Sequence, residues 1–167
     1  MDGPVIRLRG MRPDEYDAYT DARERDAAES LSGSMPFEQG LAEARQDTAR
    51  FLSEGLATAG HRLLVAENID GEVVGFAWLG LVHPRTRSPE SAWLYDLRID
   101  ERHRRRGYGD AMLVAIEQFA RDAGAATLEL NVFGHNRAAT ALYTNRGYHV
   151  TTQQMAKPLR PLPPAKI

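Results

Sequence analysis

The sequence predicts an α/β fold with a single mixed sheet, and three observations carry that prediction. Short alternating or continuously apolar segments, of strand length, dominate from His61 onward. Two segments of helical period precede them, within residues 14–56. The order strand, loop, helix, strand that begins at Ala92 then demands at least one parallel crossover beside the hairpin strands. A chain of 167 residues suffices for one domain with a true core and is too short for two ordinary ones.

Taken in order, Ile6 and Leu8 alternate with Arg7 and Arg9 in a short first strand. Asp14 to about Ser30 reads as a polar helix, broken at Ser32-Gly33-Ser34. Pro36 suits a helix start, and Leu41, Ala44, Thr48, Phe51 and Leu52 share a face of the helix it opens, which is expected to reach about Leu56. Arg62–Asn68 and Val73–Leu81 read as strands joined by a tight turn at Asp70-Gly71. Ala92–Asp100 is a further strand. After an Arg/Gly loop, a helix from Tyr108 to about Ala123 carries the stripe Met112, Ile116, Phe119 and Ala120, with Gly124 placed to end it. Thr127–Phe133 is the next strand and Asn136 to about Asn145 a short helix. Gly147–Val150 and Gln153–Lys157 are expected to close the sheet, ahead of a Pro-rich tail at Pro158–Ile167.

Composition excludes several classes. Hydrophobic residues make up 43% and charged ones 26%, the balance of a globular rather than a disordered chain. The net charge of −2 argues against a general nucleic-acid binder. No cysteine is present, which removes disulfides, thiolate metal sites and a cysteine nucleophile together. No histidine spacing suggests a metal site. No apolar run approaches a membrane span and the first residues lack a signal-peptide core, so a cytoplasmic protein is expected. Charge is uneven: residues 1–60 carry a net −5 and the remainder +3. The basic excess gathers at Arg98, Arg102, Arg104, Arg105 and Arg106, a local anion site rather than a track for nucleic acid.

That cluster leads into Arg104-Arg105-Arg106-Gly107-Tyr108-Gly109, between a strand and a helix. Glycines there admit close backbone approach, and N–H groups at a helix start favour an anion such as a pyrophosphate. Arginines add charge-assisted hydrogen bonds. The segment has neither the Gly-Lys-Ser/Thr of a Walker loop nor the third glycine of a dinucleotide fingerprint. On its own it reads either as an anion site or as a solvated Arg-rich turn.

The run Leu97-Arg-Ile-Asp-Glu-Arg-His-Arg104-Arg-Arg-Gly107-Tyr-Gly109 resembles the acyl-CoA motif of the GNAT superfamily of N-acetyltransferases, [Arg/Gln]-x-x-Gly-x-[Gly/Ala] between a strand and a helix. Asn136-Arg-Ala-Ala-Thr-Ala-Leu142-Tyr143-Thr-Asn-Arg-Gly147-Tyr148 is similar to that family's Asn-x-x-Ala-x-x-Leu-Tyr-x-x-x-Gly-[Phe/Tyr]. Both blocks occur in the family's order with a strand between them. Asp110 departs from the pattern, where a neutral or basic residue is commoner; beside a pyrophosphate its charge would repel unless the side chain turns away. The phrase Val132-Phe133-Gly134-His135-Asn136 resembles a bacterial subgroup with undefined acceptors.

The resemblance implies a mostly antiparallel twisted sheet with a central, splayed parallel strand pair and helices on both faces. It implies one N-acetyltransferase domain over residues 1–158, with acceptor-side helices at about 13–56, a coenzyme A-binding core at about 61–158 and a tail at 159–167. Acetyl-CoA would be the acyl donor, and a small-molecule or peptide amine the acceptor, without nucleic acid or membrane and with a homodimer possible. The reaction implied is direct attack by a primary amine in a ternary complex, and a non-catalytic acyl-CoA-binding or sensor module is the alternative.

Roles follow residue by residue. Leu97 and Ile99 would offer backbone hydrogen bonds to the pantetheine arm, and an N–H near Leu97 would polarise the thioester carbonyl. Arg104, Arg105, Arg106, Gly107, Tyr108 and Gly109 would hold the phosphates. Tyr143 is the candidate general acid toward sulfur; read without the resemblance it is a core aromatic with a satisfied hydroxyl. Asn136 suits a helix N-cap and a pantetheine contact alike. Asp96 is the chosen general base, with Tyr95, Glu29 and His61 as alternatives. Strand alternation turns one of Tyr95 and Asp96 to the acceptor, and a bulge would change which one. His103 and His135 suit surface or packing roles, and Trp78 and Trp93 the core, with Trp93 a possible pocket wall.

Overall fold

The computed structural model describes residues 3–157 together with Leu159 and Arg160. Five strands form one sheet in sequence order, β1 (Ile6–Gly10), β2 (His61–Asn68), β3 (Val73–Gly80), β4 (Ser91–Ile99) and β5 (Thr127–Leu130). Only β4 and β5 run parallel, linked through a helix; the other neighbours are antiparallel. Four α-helices complete the fold among the described residues: α1 (Pro13–Ser30), α2 (Phe37–Phe51), α3 (Tyr108–Asp122) and α4 (Arg137–Asn145).

Local chemistry explains the elements. Pro13 opens α1 at a position where its missing N–H costs nothing, and Glu15 accepts the Arg12 N–H at 2.8 Å. The β2–β3 turn closes because Asn68 Oδ1 accepts from the N–H groups of Asp70 and Glu72 while Gly71 takes φ +80°. On one sheet face, Met112, Leu113, Ile116 and Ala120 of α3 pack on Leu64, Val74, Leu79 and Leu94, with Leu142 and Tyr143 of α4 at the border. On the other, Tyr19 of α1 and Phe51 of α2 join Leu63, Val65, Trp78 and Phe76. Burying such side chains contributes roughly 1.5–3 kcal/mol each.

Three expectations are corrected. α2 ends at Phe51 rather than near Leu56, because Leu52 leaves helical geometry and a separate 3-10 turn forms at Gly55–Ala57. β5 stops at Leu130, short of Phe133. The closing strands at Gly147–Val150 and Gln153–Lys157 are absent, and β5 is the last strand among the described residues. Gly147 turns the chain at φ +89°, and the large apolar residues of these two segments, Val150 and Met155, are 78% and 86% exposed. A strand without a buried face has nothing to fix it on a sheet. The expected Pro-rich tail lies almost wholly outside the described residues.

Candidate active site

The site begins with a mismatch in strand register. Trp78 of β3 pairs with Asp96 of β4, but its neighbour Leu79 pairs with Leu94, so Tyr95 is the extra residue of a β-bulge. Tyr95 and Asp96 consequently face the same side, toward α1 and α2: the Tyr95 ring stacks on Trp78 at 4.4 Å and Asp96 meets Tyr19. Strand alternation alone would have separated them. The parallel pairing of β4 with β5 ends at Leu94–Leu130, one residue before the bulge. From Tyr95 to Ile99, β4 therefore keeps a free edge on its β5 side.

The direction of that edge's polar groups follows from one bond. Asp100 donates its N–H to Val74 O at 3.0 Å, toward β3. Antiparallel alternation then turns the N–H and C=O groups of Leu97 and Ile99 away from β3, to the free edge. The Arg104 guanidinium donates to Ile99 O at 3.1 Å from that side. An extended amide-bearing ligand would find the hydrogen-bonding pattern of a missing strand here.

The free edge runs into the Arg/Gly loop. Arg105 and Gly107 both have positive φ, 62° and 83°, and Gly107 is the N-cap of α3. The N–H groups of Tyr108, Gly109 and Asp110 form the first turn of α3, where no intrahelical acceptor exists. Arg104, Arg105 and Arg106 are exposed around them. Asp110 turns to Arg146 at 3.5 Å, which offsets the charge that would otherwise oppose an anion. Tyr108 supplies its backbone to the turn, while its ring packs edge-on against buried His103.

Asp96 accepts a hydrogen bond from Tyr19 at 2.9 Å. Burial pushes its carboxyl upward, opposed by Arg23, by the Tyr19 hydroxyl and by Arg98. Arg23 is fixed by Thr48 Oγ1 at 3.2 Å and lies over the Trp78 ring. Tyr143 is partly buried on α4, tilted against Tyr148, and its phenol is pushed up to about 12 by burial and then by the charge of Asp96. Asn136 caps α4, its side chain accepting from Ala139 N–H at 3.1 Å.

The remaining candidates fall elsewhere. His61 Nδ1 accepts the Trp78 indole N–H at 2.9 Å, and burial lowers its pKa, so its free lone pair is already used. Glu29 is exposed on the last turn of α1. His135 stacks on Phe133, and Trp93 meets buried His83 edge-on at 4.9 Å. Sequence reasoning missed Tyr19 and Arg23, and it grouped Arg98 with the anion cluster, whereas Arg98 pairs with Asp26 at 3.3 Å and lines a cavity beside α1. Tyr19 is only 3% exposed in a helix otherwise polar, and its four-residue spacing from Arg23 was the available signal. A cavity of about 360 Å³ opens between α1 and the β3–β4 surface, lined by Asp14, Ala18, Tyr19, Phe76, Arg98 and Asp100.

A bulged strand that is unpaired on one edge beyond Leu94 and leads to an anion-ready helix start has the form of a site for an extended, phosphate-bearing ligand. Comparison with known proteins gives that class its family. Residues 18–148 match the model of the acetyltransferase (GNAT) family. The chain is 31% identical over 158 residues to YycN of Bacillus subtilis, an uncharacterised N-acetyltransferase, covering 93% of this chain and 99% of that one. The crystal structure of YycN superposes with a TM-score of 0.86 at 30% identity, covering 94% of this chain and all of the other. The PaiA N-acetyltransferase of Thermoplasma acidophilum, solved with coenzyme A, shares the fold at a TM-score of 0.67 and 15% identity, over 90% of this chain and 93% of that one. The chain belongs to the GNAT family of N-acetyltransferases, and acetyl-CoA is its acyl donor. Among the described residues no helix is long and apolar enough to cross a membrane.

Proposed function

We propose that the protein transfers the acetyl group of acetyl-CoA to a primary amine by direct attack in a ternary complex, in the cytoplasm. The observation that carries this reading is the continuity of the free β4 edge with the first turn of α3, with Asp96 on that strand and its charge acting on the Tyr143 phenol of α4. Leu97 and Ile99 bind the amide-bearing arm of the donor, and an N–H near Leu97 polarises the thioester carbonyl. The N–H groups of the first α3 turn, with Arg104, Arg105 and Arg106, hold the phosphates. Asn136 fixes the start of α4 and so the approach of Tyr143.

In the reaction the C–N bond forms and the C–S bond breaks; the amine loses a proton and the thiolate gains one. Asp96 takes the amine proton, a role to which a carboxyl raised by burial is better suited than an ordinary one. Tyr143 hydrogen-bonds the leaving sulfur. Full proton transfer from a phenol near 12 to a thiolate of ordinary basicity is uphill by roughly 5 kcal/mol. Neutralising Asp96 removes one of the two causes of that high value, so the base step strengthens the acid needed next. The acceptor enters through the cavity beneath α1. The carboxylates of Asp14 and Asp100 at its wall, with the net −5 of residues 1–60, suit a cationic amine.

The test mixes protein, acetyl-CoA and a panel of amines and follows free thiol, to which this cysteine-free chain adds no background. Amine-dependent thiol release is expected. Acetyl-CoA binding with no turnover across the panel would instead identify a non-catalytic acyl-CoA-binding module.

A further inference from the structure

We infer that Tyr19 is a positioning residue for Asp96, holding one carboxylate oxygen so that the other faces the acceptor amine. The inference rests on the reading of Asp96 as the proton acceptor, and it adds a residue from a different element that the motifs do not mark. Tyr19 comes from the middle of α1, where its ring is almost fully buried against Phe76 at 5.7 Å and forms part of the cavity wall. Its hydroxyl donates to Asp96 Oδ2 at 2.9 Å. Among the described residues no side chain bonds Oδ1 of Asp96. One residue therefore joins the cavity to the carboxylate.

The groups around Asp96 make this contact directional. Arg23 and Asp26 approach from α1, Arg98 from β4 and Tyr143 from α4, while β3 contributes the uncharged Trp78. Both arginines are tied elsewhere: Arg23 by Thr48 and the Trp78 ring, Arg98 by Asp26 at 3.3 Å. They bias the charge of Asp96 without bonding it. The Tyr19 hydroxyl alone sets which oxygen is occupied. Because burial and the neighbouring carboxylate hold the Tyr19 phenol well above its ordinary value, it remains a donor throughout the working pH range.

A structural alternative is that Tyr19 merely fills the space beneath α1 and uses Asp96 to satisfy a buried hydroxyl. Tyr19→Phe keeps the ring and removes only the donor, which separates the two. Losing a hydrogen bond to the charged form raises a carboxyl pKa. Carboxyl-carbon NMR, with Asp96 assigned by Asp96→Asn, should show its titration midpoint about one pH unit higher in Tyr19→Phe. With spermidine, a lysine-bearing peptide and tyramine as probe amines, the acidic limb of kcat/KM should move up by the same amount while KM for acetyl-CoA stays put. In the Asp96→Asn background, adding Tyr19→Phe should cost no further activity. An unmoved Asp96 titration would overturn the role of Tyr19 alone. A titration that moves while the acidic limb does not would remove Asp96 as the base, and the positioning role with it.

Discussion

On the α3 face of the sheet the buried residues are aliphatic or Met: Leu64, Val74, Leu79, Leu94, Met112, Leu113 and Ile116. On the α1–α2 face the rings of Tyr19 and Trp78 are buried beside Leu52, Leu63 and Val65, with Phe51, Phe76 and Tyr95 half-buried around them, and polar groups are threaded between the rings. Tyr19 bonds Asp96, Trp78 bonds His61, and Arg23 bonds Thr48. The difference separates two physical tasks. Aliphatic burial is non-directional and roughly proportional to area, so the α3 face holds the sheet together without orienting anything. Tyr, Trp and Arg pair apolar bulk with a directed donor, so the opposite face can aim a carboxylate while remaining packed. The free edge of β4 belongs to neither face but to the line between them.

The largest expected effect breaks the aliphatic face. Ile116 is fully buried, and Ile116→Ala should lower stability in urea unfolding by about 2–5 kcal/mol, since the cavity left behind cannot fully collapse. In whatever fraction stays folded, acetyl-CoA affinity and the Asp96 titration should be unchanged. If the α3 face instead tuned the chemistry, both would move.

Next in size is a change at the line between the faces. Tyr143→Phe keeps the ring against Tyr148 and removes the proposed donor to sulfur. Steady-state assays should show kcat reduced by roughly 10²-fold, with KM for acetyl-CoA within about two-fold of its starting value. An unchanged kcat would remove Tyr143 as the acid and leave it as packing.

A smaller effect is expected in the anion loop. At Gly107 the backbone has φ +83°, and an added Cβ would come within 3.0 Å of Pro4 Cδ. A side chain in the left-handed region costs about 1–2 kcal/mol, so Gly107→Ala should weaken acetyl-CoA binding by roughly ten-fold in calorimetry. Acetyl-pantetheine, which lacks the phosphates, should bind both forms equally. Equal loss for the two ligands would mean that the substitution disturbs the β4 edge and not the anion loop.

How much of this was legible in the chain follows the same division. The α3 face was: Met112, Ile116 and Ala120 recur at helical spacing, and the turn at Asp70-Gly71 announces its hairpin. The strand–loop–helix order around Gly107 and the cap at Asn136 could also be read, because each depends on residues close in sequence. What could not be read depends on partners distant in the chain. The Tyr95 bulge exists only in the register of β4 against β3. Tyr19 and Asp96 are 77 positions apart, and Arg146, which turns Asp110 aside, lies 36 beyond it. The expected closing strands failed for the converse reason. Val150 and Met155 supply local strand character, but no partner surface covers them.

The smallest effect tests how the aromatic face is fastened. α1 is tied down at its first turn by ions rather than by oil: Arg9 donates to Glu15 at 2.7 and 2.8 Å and to Glu67 at 2.6 Å, joining the helix to β1 and β2. The Arg9 hydrogen bond is the largest cause holding the Glu15 carboxyl down to about 2 against the ordinary 4.5, with the Arg12 N–H assisting and burial opposing. A carboxyl depressed in the folded state stabilises fully above its unfolded value, and that contribution disappears as pH falls from about 4.5 through about 2. Glu15→Gln should therefore cost about 1 kcal/mol at neutral pH, the modest value of a pair near the surface, and progressively less as pH falls through about 2. Ile116→Ala carries no such pH dependence. Acid titrations of the two variants by denaturant unfolding should give converging curves for Glu15→Gln and parallel curves for Ile116→Ala, because the first turn of α1 is held by charge and α3 by apolar area.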